Sequence, residues 1–209
     1  MTADTLDRII EVACAVVREH ADNLTQLDRA IGDGDHGLNM RRGFDAIDEA
    51  RPSLRGLPLG EALQKIGMTL VMKVGGASGP LYGSLLMAMG KAAGPEGVRG
   101  LDDLARMVAE GVAAVKRRGR SEAGEKTMLD VLVPVAEAVQ TAAGQGLPAA
   151  EAIARVRAMA DGGFQRTRDL RATKGRASFL GERSVGHLDP GARSSQLLVH
   201  AVCDALGAS

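Results

Sequence analysis

The period of the apolar residues is the strongest constraint on this chain. Leu6, Ile9, Ile10, Ala13, Val16, Val17, Leu24 and Leu27 recur mostly at steps of three and four, which lines them along one face of a long first helix. The same pattern returns over 38–50, 59–73, 80–93, 101–118, 127–143, 149–169 and 191–206. Between these runs lie glycine- or proline-bearing breaks such as RPSLRGLP and AAGPEGVRG. No run alternates with period two between hairpin turns, and no segment repeats at a fixed spacing. Only 2% of residues are aromatic, whereas Ala, Leu, Met and Arg abound, a mix that favours helix over β-sandwich or barrel. The spacing therefore predicts an all-α protein of eight helices, packed as an antiparallel up-and-down bundle in which each apolar stripe covers the next. A chain of 209 residues suits a single domain over 1–209.

Small residues inside the predicted helices need a reason. Gly67, Gly83, Gly90 and Gly111 each cost up to about 1 kcal/mol of helix propensity, and close approach of a neighbouring helix is the ordinary compensation. Pro134 removes one backbone bond and is expected to bend its helix.

Charge and cysteine usage exclude several classes of function. Twenty-six basic residues balance twenty-six acidic ones, so no field points to nucleic acid or to an anionic membrane as a partner. Cys14 and Cys203 lack the spacing of a zinc site or a disulfide framework and read as buried free thiols. MTADTLDRII has neither the basic nor the apolar region of a secretion signal, and no stretch approaches the roughly 18 apolar residues of a membrane span, so a cytoplasmic location is expected.

Four polar, glycine-rich segments interrupt the helices: IGDGDHGLN at 31–39, GGASGPLYG at 75–83, RGRSEAGEKTM at 118–128 and KGRASFLGERSVGHLDPG at 174–191. They follow helices one, three, five and seven. Each helix of an up-and-down bundle reverses the chain, so all four segments converge at one end. One shared site is the economical reading, against four unrelated solvated turns.

The first segment crowds Asp28, Asp33 and Asp35 together. Asp33 and Asp35 alternate in an extended chain and point the same way, with Asp28 at the end of helix one. Converging carboxylates with spare coordination positions suit magnesium, which takes its remaining ligands from water and phosphate. A calcium loop beginning at Asp33 fails, because Gly37 and Phe44 stand where oxygen ligands belong. No second histidine has ligand spacing to His36, which reads as a hydrogen-bond donor to phosphate, an orienting group for the loop, or a merely structural residue. GRSEAGEKT nearly spells a phosphate-binding P-loop, but Glu125 is inserted before Lys126 and the preceding segment is helical rather than strand. In GGASGP, small residues let backbone amides approach an anion at the start of a helix, and Lys174, Arg176 and Arg183 add cations. Carboxylates for metal with amides and guanidinium for phosphate form a phosphoryl-transfer kit.

LDRAIGDGDHGLNMRRGF at 27–44, GGASGPLYG at 75–83, GEKTMLDVLVP at 124–134 and KGRASFLGERSVGHLDPGA at 174–192 resemble the nucleotide-binding L subunit of bacterial dihydroxyacetone kinase. The resemblance implies a closed barrel of eight antiparallel amphipathic helices holding ADP or ATP and two Mg2+ ions at one end. It places the metal on Asp28, Asp33 and Asp35. Nucleotide contacts are implied at His36, Gly37, Leu38, Asn39, Ala77, Ser78, Gly119, Met128, Arg176, Asp189, Pro190 and Gly191. Within that set, Ser78 is expected to give a hydroxyl and an amide to phosphate, Met128 to pack near the base, and Arg176 to neutralise charge.

The chain offers no obvious phosphoryl acceptor. In the family it resembles, dihydroxyacetone is held by a histidine of a separate K subunit. In one branch the nucleotide stays bound and is recharged by a phosphohistidine of an M subunit in the phosphotransferase system; in the other, ATP exchanges as a substrate for dihydroxyacetone or a related small keto-sugar. A free-standing chain favours the first. A metal-dependent phosphohydrolase using the same aspartates and a non-catalytic helical interaction module are the competing classes, and dimerisation stays open.

Overall fold

The computed structural model describes residues 3–94 and 96–207. Eight α-helices run in order: α1 Ala3–Ile31, α2 His36–Ala50, α3 Leu59–Lys73, α4 Ser78–Ala92, α5 Leu101–Gly119, α6 Leu129–Gln145, α7 Ala149–Arg166 and α8 Pro190–Gly207. Each packs on its neighbours in sequence, and α8 returns to α1, so the helices close into a barrel. There is no strand among the described residues, and none of their helices is long and apolar enough to cross a membrane.

The first helix shows how the period builds the wall. Leu6, Ile10, Ala13, Cys14, Val17, Ala21 and Leu24 are buried along one stripe, while the positions between them face water. They meet Met40, Phe44 and Ile47 of α2, Leu70 of α3, Leu129 of α6 and Leu197 of α8 in one core. Cys14 and Cys203 are buried free thiols, as expected, and the Cys14 Sγ donates to the Phe44 carbonyl at 3.3 Å.

The helical glycines mark where backbones touch. Gly60 and Gly90 form a reciprocal pair: a Cβ added to either would lie 2.6 Å from the other's carbonyl oxygen. Gly67 and Gly83 repeat the arrangement two turns along, at 2.8 Å each way, so α3 and α4 cross with almost nothing between them. Gly111 makes the same allowance for Leu85 and Met89 between α4 and α5. Pro134 sits inside α6 without ending it. It cannot serve the carbonyl of Asp130, four residues earlier, and that is the atom α7 approaches: a Cβ on Gly163 would stand 2.3 Å from the Asp130 oxygen.

The structure departs from the sequence reading at helix ends and in two connections. Helices α2 and α4 begin two residues earlier than the period suggests, at His36 and Ser78, inside the polar loops. Short 3-10 helices occupy Arg51–Ser53 and, in the long fourth segment, Arg176–Ser184, which apolar periodicity does not announce.

Gly163 and Gly144 give a paired test of this packing. Gly163→Ala forces a methyl against backbone atoms of α6 and should cost about 1–3 kcal/mol despite the better helix propensity of alanine. Gly144, in α6, faces open space, so Gly144→Ala should stabilise by about 0.5–1 kcal/mol. Urea denaturation of the two variants should move their midpoints in opposite directions.

Candidate functional site

Asp28 organises the open end of the barrel. Its Oδ2 accepts the backbone amides of Asp35 at 2.9 Å and His36 at 3.0 Å, tying the end of α1 to the start of α2. Gly32 leaves the room this needs, because a Cβ there would lie 2.0 Å from the Asp28 Oδ1. One carboxylate oxygen each from Asp28, Asp33 and Asp35 can then fall within 4.8 Å of one another. Arg176 Nε pairs with Asp33 Oδ2 at 2.7 Å. Three carboxylates against one guanidinium leave negative charge that a hard, oxygen-seeking divalent cation would neutralise, with coordination positions to spare for water and phosphate.

The second loop brings amides opposite these acids. Gly76 adopts a left-handed conformation at φ +64°, and α4 starts at Ser78 with no side chain capping its first turn. Free amides at a helix start favour an anion. Behind them runs a buried chain of hydroxyls. Tyr82 Oη lies 2.8 Å from Ser194 Oγ and 2.9 Å from Ser195 Oγ; Ser194 Oγ lies 3.0 Å from His36 Nε2; His36 Nδ1 lies 3.2 Å from Ser78 Oγ. Burial pushes the His36 imidazole below its usual range and the Tyr82 phenol up to about 12, so both are neutral near pH 7. Ser194 Oγ donates to the Gly191 carbonyl at 3.0 Å. The Ser78 hydroxyl is thus tied to the His36 ring, in a direction that the imidazole tautomer sets.

The third and fourth loops are held by three buried ionisable side chains, Lys126, Asp130 and Asp189. Lys126 is 1% exposed and left-handed at φ +61°, and its ammonium donates to the carbonyls of Thr167, Leu170 and His187. All three protons go to carbonyls of the segment between α7 and α8: Thr167 and Leu170 just past the end of α7, where carbonyls lack intrahelical donors, and His187 just before α8. The residue that made the third segment look like a P-loop therefore binds backbone, as a clamp between loops. The Asp130 carboxylate fixes the same turn by accepting from Gly124 at 2.5 Å and Thr127 at 2.7 Å. Asp189 caps α8 by accepting the Ala192 amide at 2.7 Å, ahead of Pro190 in the first helical position. Burial pushes its carboxyl up to about 7, reinforced by Asp130 and Asp28 and opposed by the Ala192 bond and Lys126.

All four segments line one cavity of about 510 Å³, within the size range of small-molecule sites. Asp28, Asp33, Asp35, His36, Asn39, Ala77, Ser78, Gly119, Met128, Arg176, Asp189, Pro190 and Gly191 all contribute to its wall. Gly37 and Leu38 lie outside that lining: Gly37 packs its Cα against the Ala21 carbonyl of α1, and Leu38 is 61% exposed. Lys174 lines the cavity, whereas Arg183 does not. Tyr82, Arg118, Ser121, Lys126 and Thr127 join the wall without having been singled out for it. Tyr82 belongs to the GGASGPLYG motif and Lys126 to the near-P-loop, but Ser194 and Ser195 look in sequence like any small residues on a packed helix.

Comparison with known proteins agrees with this geometry. Residues 30–204 match the family model described as the DAK2 domain. The chain is 45% identical over 186 residues to the ADP-binding subunit DhaL of PEP-dependent dihydroxyacetone kinase 1 from Listeria innocua, covering 89% of this chain and 88% of that one. It is 43% identical to the corresponding subunit from Escherichia coli, covering 86% and 85%. The dihydroxyacetone kinase of C. freundii, solved in complex with AMP-PNP and Mg2+, has the same fold, with a TM-score of 0.73 at 24% identity. That match covers 98% of this chain but 34% of the larger kinase.

Asp189 makes stability depend on pH. Its carboxyl is raised from 3.8 to about 7, so the folded protein keeps a proton that the unfolded chain releases. The contribution is whole below pH 3.8 and is lost as pH rises to about 7, with a slope of up to about 1.4 kcal/mol per pH unit. Asp189→Asn keeps the helix cap and should flatten that decline. Urea titrations between pH 4 and 7.5, without magnesium or nucleotide, measure it; an unchanged slope refutes the assignment.

Proposed function

The chain belongs to the DAK2 domain family, and from that premise we propose that it is the ADP/ATP- and magnesium-binding subunit of a PEP-dependent dihydroxyacetone kinase. It acts as one nucleotide-binding domain over 1–209. The convergence of four odd-numbered loops on one cavity, with three carboxylates facing the uncapped start of α4, is the observation that carries the reading.

The residues divide the work. Asp28, Asp33 and Asp35 hold two magnesium ions, and the carboxylate-only donor set suits that hard cation. Bound there, magnesium supplies charge neutralisation at the phosphate oxygens, which phosphoryl transfer needs more than covalent help from protein. The first-turn amides of α4, Ser78 and Asn39 face the phosphates. Met128, 5% exposed, walls the deeper part of the cavity for the base. His36, Ala77, Gly119, Asp189, Pro190 and Gly191 shape the rest, while Gly37 and Leu38 act by placing the start of α2. Arg176, paired with Asp33 at 2.7 Å, would be free to serve the transferred group if a metal held that carboxylate.

The acceptor comes from elsewhere. A K subunit presents dihydroxyacetone at the cavity mouth, and a phosphohistidine of an M subunit, charged from PEP, restores the nucleotide in place. The assembly is cytoplasmic. The 45% identity to the ADP-binding subunit of a PEP-dependent kinase from Listeria, over 88% of that subunit, supports this branch.

Protein purified with magnesium and then denatured should release ADP, and the retained ADP should be phosphorylated by a phosphohistidine donor faster than it exchanges with free ATP. Protein that is empty and works only with excess ATP is instead an exchanging kinase subunit, and phosphate release without partners identifies a phosphohydrolase. Asp33→Ala should abolish magnesium-dependent ADP binding. At ligand concentrations near 100 times the wild-type Kd, it should forfeit about 2.7 kcal/mol of ligand stabilisation, read as a melting point about 5–10 °C below that of the loaded wild type.

A further inference from the structure

We propose that Arg42 is a positioning residue that turns the Asn39 side chain so that its amide nitrogen, and not its oxygen, faces the nucleotide cavity. The inference rests on the nucleotide-binding reading above and adds the chemical sense of one contact, together with the residue that sets it.

A terminal amide can present either end, and neither sequence nor position decides which. Here the decision comes from outside the cavity. Arg42, one turn along α2, places a guanidinium nitrogen 2.8 Å from the Asn39 Oδ1. A guanidinium only donates, so the atom it meets must be the carbonyl oxygen of the amide. The flipped amide would set NH2 against NH. Arg42 is itself held, because its Nε donates to the Lys73 carbonyl at 2.7 Å in the last turn of α3. Gly75, just beyond, lies flat against the amide: a Cβ there would stand 2.6 Å from Oδ1 and 2.9 Å from Nδ2. Asn39 is thus buried, gripped on its oxygen and packed on one face.

The remaining polar atom is Nδ2. Asn39 lines the cavity, and among the described residues its Nδ2 has no hydrogen-bond acceptor. Two N–H groups are then left at the cavity wall beside Gly75, in the loop that leads to α4, where they suit a phosphate oxygen and would repel a cation.

Calorimetry with magnesium and ADP tests this. Wild-type protein that binds no ADP would overturn the functional reading itself, before the role of Arg42 is reached. Given wild-type binding, Arg42→Ala should weaken ADP about tenfold, and in an Asn39→Ala background it should cost less than about twofold, because the group it positions is gone. Asn39→Asp keeps the shape and the pairing with Arg42 but replaces the donor by an acceptor. Its ligand-free melting point should equal or exceed that of the wild type, while ADP binding falls below that of Asn39→Ala. An equal cost of Arg42→Ala in both backgrounds, or Asn39→Asp binding as tightly as Asn39→Ala, overturns the proposal. The aspartate variant keeps the test decisive even if Arg42→Ala fails to fold.

Discussion

The open end of the barrel depends on the two oxygens of Asp28. One is spent on the amides of Asp35 and His36, which fixes how α2 leaves α1. An oxygen of the same carboxylate falls within 4.8 Å of oxygens from Asp33 and Asp35, where like charges repel. The same carboxylate therefore stabilises a helix start and creates an electrostatic demand that only a cation meets. Arg176 meets part of it from the fourth loop, so the acidic and basic segments hold one another in place across the cavity. The site is a balance of charges, and its ligands complete that balance.

The other loops are fixed by buried polar groups whose partners are nearly all backbone. Lys126 spends its charge on three carbonyls, Asp130 on two amides and Asp189 on the start of α8. A buried charge tolerates this only when its hydrogen bonds are complete, which makes each of these residues intolerant of a shift in its neighbours. The rigid cradle thus comes from helix ends, where unpaired backbone groups are concentrated. The barrel wall behind it is shaped by close contacts such as Gly67 against Gly83, which set the spacing of α3 and α4 and hence the width of the cavity mouth.

Much of the fold was legible in the sequence because the apolar stripe of each helix has a 3.6-residue period that no other structure satisfies. The eight helices, the glycine crossings and the gathering of odd-numbered loops follow from that period and from chain reversal. The start of α2 was less legible: His36 and Gly37 are polar or small, and what makes them helical is the Asp28 carboxylate eight residues away. The 3-10 turn at Arg176–Ser184 carries no apolar signature and was not foreseen. In the candidate site, the aspartates were visible because clustered carboxylates have few structural uses. Lys126 sits in a near-P-loop that the inserted Glu125 and the helical approach already argued against, but its actual partners, three backbone carbonyls, carried no signal in the sequence. Ser194, Tyr82 and Arg42 gave no signal of their roles, because a hydroxyl or guanidinium acquires direction only from the atoms around it.

The sequence by itself determined which segments are helical, which loops share an end of the barrel, and which residue types meet there, because periodicity and chain reversal are local properties. Only the tertiary structure decided which partner each polar group meets: the Ser78 hydroxyl the His36 ring, the Asn39 oxygen Arg42, the Lys126 ammonium the carbonyls between α7 and α8. Hydrogen-bond direction is set by partners as many as 158 residues apart in the chain, as between His36 and Ser194, and no spacing along the sequence encodes it.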